Sequence, residues 1–225
     1  MAEIKAIPVE LPVIPPKNSF ILGDCMDYLK LFPPNFFDLA IVDPPYGIED
    51  WNKRGSNKNR NKGFEPDKTK RWDKKPDRAY FNELIRVSKS QIIWGANHFF
   101  DYLTSTKAMI VWDKHQDGMH FNQCELAWCN NLNESIKIFR KPSWLERDRI
   151  HPTQKPVELY TWILKQFARA GDLILDTHVG SASSLIACTE LGFDYIGFEK
   201  DEEYYTMAKS RLGRATRKYE LFEAV

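Results

Sequence analysis

The sequence predicts an α/β protein built on an open, mostly parallel, Rossmann-like sheet with helices on both faces. Three observations predict it. Short apolar runs at Leu39 to Val42, Leu173 to Leu175 and Tyr195 to Phe198 lack the polar alternation of half-exposed strands, so they read as strands buried on both sides. Each run delivers an acid, respectively Asp43, Asp176 and Glu199, at the carboxyl end of its strand, where open α/β sheets hold their chemistry. Finally, strand, Gly-containing turn, helix and strand succeed one another between Leu173 and Glu199, which is a βαβ unit.

The remaining elements follow in chain order. Pro8, Pro12, Pro15 and Pro16 suggest an extended arm laid over the surface. Ser19 to Leu22 is a short strand closed by Gly23 and Asp24, and a helical turn around Met26, Leu29 and Leu31 ends at the Pro33-Pro34 break. After the Asp43 strand, Asp77 caps a helix whose apolar face is Phe81, Leu84 and Ile85. Gln91 to Trp94 is a buried strand closed by Gly95, and Asn97 caps a short helix through Leu103. Ala108 to Trp112 and Glu125 to Cys129 are expected to run antiparallel, because too few residues separate them for a helical crossover. A helix with Leu159, Trp162, Ile163, Gln166 and Phe167 on one stripe ends at Gly171. The helix of the βαβ unit carries Leu185, Ile186, Thr189 and Leu191 and closes at Gly192. Asp201 caps the last helix, with Glu202 and Glu203 favourable in its first turn.

At 225 residues the chain is long enough for one domain, residues 1–225, with a full core. Its composition, 43% hydrophobic and 28% charged, is that of an ordinary globular protein, and the net charge of +1 offers no global electrostatic case for nucleic acid. Any such case must be local. Cys25, Cys124, Cys129 and Cys188 contain no Cys-x-x-Cys pair and read as reduced thiols of a cytoplasmic protein. A zinc site from His115, His120, Cys124 and Cys129 is disfavoured, since the two cysteines lie five apart on a strand and face opposite sides. No metal is expected. There is no membrane-length apolar run, cleavable signal pattern or internal repeat.

Two basic insertions interrupt the pattern. Residues 48–80 carry eleven basic and six acidic side chains, so this stretch is +5 and the rest of the chain −4. Within it Lys53, Arg54, Lys58, Arg60 and Lys62 meet no acid, and Trp51, Phe64 and Trp72 are interleaved. Such an insertion, at 48–79, fits a segment that grips phosphates with aromatics near bases, against the plainer reading of a solvated loop. Residues 130–150, with Arg140, Lys141 and Trp144, form a second, weaker candidate loop.

Asp43-Pro44-Pro45-Tyr46-Gly47 is the stretch with most chemistry. The prolines end the strand, leaving one carboxylate, free backbone carbonyls and an aromatic face on a stiff turn. That set suits transfer of a methyl group to an exocyclic amine. Such an amine is a poor nucleophile, and a carboxylate and a carbonyl that each accept one N–H orient it and enrich its nitrogen. The plainer alternative is a turn without chemistry. In the βαβ unit, Gly180 lets the backbone approach a ligand, the helix N-terminus offers free amides, and Glu199 is placed for ribose hydroxyls. The turn lacks Gly-x-Gly-x-x-Gly spacing, which argues against a dinucleotide.

Asp43 to Tyr46, His-Pro-Thr-Gln-Lys-Pro at 151–156, and Asp176 to Glu199 together resemble the β group of DNA amino-methyltransferases, in which the catalytic segment precedes the cofactor segment. The resemblance covers residues 19–47 and 77–213. It implies a seven-stranded sheet with one antiparallel strand, S-adenosylmethionine as methyl donor, and DNA as partner with a base flipped from the duplex. It further implies a bacterial or phage origin. By that resemblance Asp43, Pro44, Pro45 and Tyr46 form the catalytic segment, in which Asp43 and the Pro44 carbonyl bind the target amine and Tyr46 stacks on the base. Asp24 and the Cys25 backbone meet the cofactor adenine, and Glu199 its ribose. Asp176, Gly180, Ser181 and Thr153 to Lys155 hold the methionine moiety, next to Asp43. Aspartate at position 43 implies adenine N6, whereas cytosine-N4 members more often carry serine there.

The family turn reads Asp-Pro-Phe-x-Gly-Ser-Gly, and here Thr177, His178 and Ala182 replace Pro, Phe and the second Gly. A methyl at Ala182 is accommodated if its φ is negative. His178 reads as a ring packed beside the cofactor, His151 as an anchor of its own loop, and Lys155 as either a cofactor ligand or a surface lysine at a helix start. No large recognition domain fits before His151, so recognition falls to the basic loops, with a short target or a homodimer. Cytosine N4, an RNA adenine and a catalytically inactive relative stay open as alternatives; a glutamine acceptor is disfavoured because its enzymes begin the segment with Asn.

Overall fold

The architecture grows from β2 (Phe37–Val42), whose residues are almost all buried. Alternation sends Leu39 and Ile41 into the core on one face of the sheet, and Ala40 and Val42 into the core on the other. The structure, a computed structural model, describes residues 13–47, 73–119, 122–132, 135–145 and 149–223. Parallel to β2 on one side lies β3 (Ser88–Trp94), with Ile41 opposite Ile92. On the other side lies β7 (Leu173–Asp176), with Leu39 opposite Ile174. Beyond β7 come β8 (Asp194–Glu199) and then β1 (Ser19–Leu22), both parallel. Beyond β3 come β5 (Cys124–Asn130), β4 (Ala108–Asp113) and β6 (Ile136–Arg140), giving the order β1-β8-β7-β2-β3-β5-β4-β6. Only β5 runs against the rest, antiparallel to both β3 and β4.

Among the described residues the helices are α1 (Cys25–Leu29), α2 (Arg78–Val87), α3 (Val157–Phe167), α4 (Ser183–Leu191) and α5 (Glu202–Glu223). Leu29 of α1 and Phe81, Leu84 and Val87 of α2 pack on the face of Val42 and Ile93. Leu159 and Ile163 of α3, Leu185 and Ile186 of α4, and Ala208 of α5 pack on the face of Ile41 and Ile92. Helices therefore cover both faces. Local chemistry sets their starts. Asp77 accepts the amides of Ala79 and Tyr80 at 3.0 and 3.3 Å, and Asp201 those of Glu203 and Tyr204 at 2.9 and 3.1 Å.

Three expectations are corrected. The sheet has eight strands rather than seven, because Ile136-Lys-Ile-Phe-Arg, read as part of a basic loop at 130–150, pairs with β4 as its edge strand. The short helix expected from Asn97 is a single 3-10 turn, Ala96–His98, preceded by Gly95 at φ +72°. The backbone at Ala182 is left-handed, with φ +64°, instead of negative. The prolines at 8 and 12 lie outside the described residues. No helix among the described residues is long and apolar enough to cross a membrane.

Candidate active site

Four neighbouring strands, β1, β8, β7 and β2, end side by side. At their carboxyl ends, or one or two residues beyond, stand Asp24, Glu199, Asp176 and Asp43. The sheet order thus converts four acids scattered over the chain into one row. In front of the row lies a cleft of about 550 Å³, within the usual range for a small-molecule site. Asp24, Cys25, Asp43, Pro44, Pro45, Tyr46, Thr153, Lys155, Gly180, Ser181 and Glu199 all line it. The catalytic and cofactor candidates therefore share one cavity, except Asp176. Asp176 is buried behind the turn, where it accepts the hydroxyl of Ser184 and the amide of His178. Its partners are neutral, and burial together with the charges of Asp43 and Glu199 pushes its carboxyl up to about 7.

Asp43 is held at both oxygens. Oδ1 accepts the Tyr46 hydroxyl at 2.6 Å, and Oδ2 the ammonium of Lys155. The Tyr46 ring stacks on His98, with centroids 4.7 Å apart and planes 9° from parallel. Gly95 makes this approach feasible, since a Cβ there would lie 2.2 Å from the Tyr46 ring. Lys155 is not a surface lysine. It is 3% exposed and contacts Asp43 on one side and Glu125 Oε2 at 3.0 Å on the other. Burial alone would lower its pKa, but the two carboxylates raise it above the usual lysine value. The chain returns from the insertion at Asp73, whose Oδ1 accepts the Gly47 amide at 2.9 Å, and Asp73 to Asp77 form one wall of the cleft.

The candidate cofactor side is built around Glu199. Its Oε2 accepts the Gly180 amide at 2.8 Å and its Oε1 the Asp201 amide at 2.9 Å, which ties β8 to the turn after β7. Burial raises its pKa. Asp24 caps α1 through the Met26 amide at 3.0 Å and pairs with Lys200 at 2.7 Å. Burial keeps both imidazoles neutral: His151 is pushed down to about 3, with Lys155 adding to the effect, and His178 to about 4. His151 accepts the Thr153 amide at 3.3 Å and packs edge-on against Tyr204, the loop-anchoring role expected of it. His178 packs against Tyr80, whose hydroxyl is bonded to Thr177 at 2.6 Å. The residues fit an adenosyl amino acid. They offer a carboxylate at a strand end for hydroxyls, a left-handed Gly180 with no side chain to fill the cleft, and a buried acid close behind the turn whose hydrogen bonds come from a hydroxyl and an amide.

Of the candidate DNA contacts, Lys53, Arg54, Lys58, Arg60 and Lys62 lie outside the described residues. Arg140 ends β6 and pairs with Asp113 at 3.5 Å, while Lys141 pairs with Glu158 at 2.7 Å. Among the described residues no cluster of His, Cys, Asp or Glu could hold a metal ion. Sequence reasoning missed Glu125, Lys114, Tyr80 and Gly95. Glu125 carried a signal: it shares strand parity with Ala127 and Cys129, so an acid stands on an otherwise core-facing side of β5.

Comparison with known proteins gives this cleft a family. The type II methyltransferase M2.MboI of Moraxella bovis is 27% identical over 244 aligned residues, covering 86% of this chain and 87% of that protein. Among solved structures, the complex of M1.HpyAVI with S-adenosylmethionine aligns with a TM-score of 0.55 at 22% identity, covering 86% of this chain and 98% of the other. The cytosine-N4-specific PvuII DNA methyltransferase aligns with a TM-score of 0.59 at 13% identity, covering 92% and 93%. The DNA methylase family model for N6 and N4 enzymes matches residues 37–210. With its row of acids and shared cleft, the chain belongs to that family, the S-adenosylmethionine-dependent DNA methyltransferases that act on an exocyclic amine.

Proposed function

We propose that the chain methylates N6 of an adenine flipped out of DNA. The observation that carries this reading is the placement of Asp43, whose carboxylate lines the same cleft as Gly180 and Glu199. Bound there, S-adenosylmethionine supplies an electrophilic methyl group. Asp43 and the Pro44 carbonyl each accept one N–H of the amine, so the nitrogen lone pair is aimed at that methyl. No strong base is required. The two low-pKa histidines are not needed, because the proton is acidic only once the nitrogen is methylated and leaves through Asp43 or water. Tyr46, already stacked on His98, presents an aromatic surface beside the target base. Glu199 holds ribose hydroxyls, and Gly180 and Ser181 hold the methionine end. Adenine is favoured over cytosine by the aspartate that opens the Asp43-Pro44-Pro45-Tyr46 segment. Duplex contact is assigned in the same proposal to the basic stretches around Lys53 to Lys62 and Arg140, in one copy or in a homodimer.

Tritiated methyl incorporation into unmethylated DNA, followed by mass spectrometry of the digested nucleosides, tests it. N6-methyladenine is expected, and Asp43→Ala is expected to reduce incorporation by about a thousandfold, comparable to losing a preorganised electrostatic contact. N4-methylcytosine as the product would replace the adenine reading. An undiminished Asp43→Ala enzyme would remove it altogether.

A further inference from the structure

The charges do not stop at Asp43. Behind it the Lys155 ammonium touches Glu125, and the other oxygen of Glu125 is bound by the Lys114 ammonium. The row runs acid, base, acid, base, from the turn after β2 to the segment before α3, then to β5 and the end of β4. Its side chains are 14, 2, 22 and 14% exposed. Burial favours neutral forms, yet Lys155 is held above its ordinary pKa, and the two lysines pull Glu125 down to about 2 against its own burial. Lys155 and Glu125 therefore both carry charge at neutral pH. The other groups facing Lys155 are the Tyr46 hydroxyl at 3.4 Å, the Trp94 ring at 5.3 Å and the neutral His151.

An ammonium has three donors and no acceptor. With Glu125 in place, Lys155 divides them between two carboxylates. Without it, the whole charge would settle on Asp43, whose lone pairs must meet the N–H of the substrate amine. We propose that Glu125 is a positioning residue for methyl transfer, drawing the Lys155 ammonium toward β5 and leaving an Asp43 lone pair open to the amine. This rests on the reading of Asp43 as the amine's acceptor. The competing role for Glu125 is neutralisation of Lys114 alone, which would act on stability and not through Lys155.

Glu125→Gln keeps the shape and removes the charge. Its kcat is expected to fall about tenfold to a hundredfold, the range for a slightly misplaced reacting group, while KM for DNA and cofactor affinity stay within about twofold of wild type. In a Lys155→Met background the same change is expected to cost nothing more, because its route is gone. Additive losses, or a Glu125→Gln enzyme as fast as wild type, overturn the proposal. Should Glu125→Gln fail to fold, Glu125→Asp, which keeps the charge but shortens its reach, is expected to show an intermediate kcat, and a wild-type rate overturns the proposal. NMR titration of the Lys155 side chain gives a readout independent of turnover. Glu125→Gln should lower its pKa, and an unmoved titration also overturns the proposal. If wild type methylates no nucleic acid, the Asp43 reading fails, while the titration still decides whether Glu125 governs Lys155.

Discussion

Asp176 is a buried acid whose hydrogen-bond partners are a hydroxyl and an amide, and its pKa of about 7 records the cost of ionising it there. Because the folded-state value lies above that of an unfolded aspartate, the folded chain binds the extra proton between about pH 4 and 7. This group's contribution to stability therefore declines as pH rises through that window and levels off above it. Asp176→Asn imitates the protonated form and is expected to match wild type in urea melts at about pH 3, below the window. At pH 8 it should exceed wild type, by on the order of 1 kcal/mol for each pH unit of the window. Gly95 is the residue on which Tyr46 leans. Gly95→Ala puts a methyl into the Tyr46 ring and a Cβ on a backbone at φ +72°. The substitution is expected to lower the melting temperature and cut kcat by about tenfold or more through loss of the Tyr46–Asp43 bond. Cofactor affinity, measured by titration calorimetry, should remain, because Gly95 is not among the residues of the cofactor turn.

At the scale of elements, the turn between β7 and α4 departs furthest from its family pattern, and the structure shows how it is held. Ala182 takes the left-handed conformation that a glycine would accept freely, at a cost of about 1–2 kcal/mol. Its methyl is fully buried in the core beneath α4, which returns about 0.8 kcal/mol. From α5, Arg211 Nη1 donates to the Ser181 carbonyl at 2.7 Å and to the Ser183 hydroxyl at 2.9 Å, clamping both sides of the strained residue. Opposed terms of similar size lead to a specific expectation: Ala182→Gly lies within about 1 kcal/mol of wild type in urea denaturation. A loss much beyond that would mean the methyl packs better than its area implies. Thr177 and His178, the other two departures, are absorbed by α2, whose Tyr80 bonds the first and packs edge-on against the second. The altered turn is thus a repacked one.

For the molecule as a whole, the parallel centre of the sheet was legible because β2, β7 and β8 are buried on both faces and announce themselves as apolar runs ending in acids. The antiparallel β5 followed from chain length alone. The edge strand β6 was not legible. It alternates apolar and basic residues, leaves Ile136 62% exposed, and so looks like the basic loop around it. The cleft was legible as three segments, but the state of Lys155 was not. A lysine between Gln154 and Pro156 reads as a cofactor ligand or a surface side chain until tertiary structure brings Asp43 from 112 positions earlier and Glu125 from an antiparallel strand. The sign of φ at Ala182 was likewise beyond sequence, since it is set by how β7 must turn into α4. Leu39 of β2 lies against Ile174 of β7, so on the ribosome the turn with Asp43 emerges long before the neighbour that completes its cavity. A nascent or prematurely ended polypeptide carries Asp43 without the Gly180 turn and Glu199 that share its cleft, so on the proposed function it stays chemically silent until its final third has been translated.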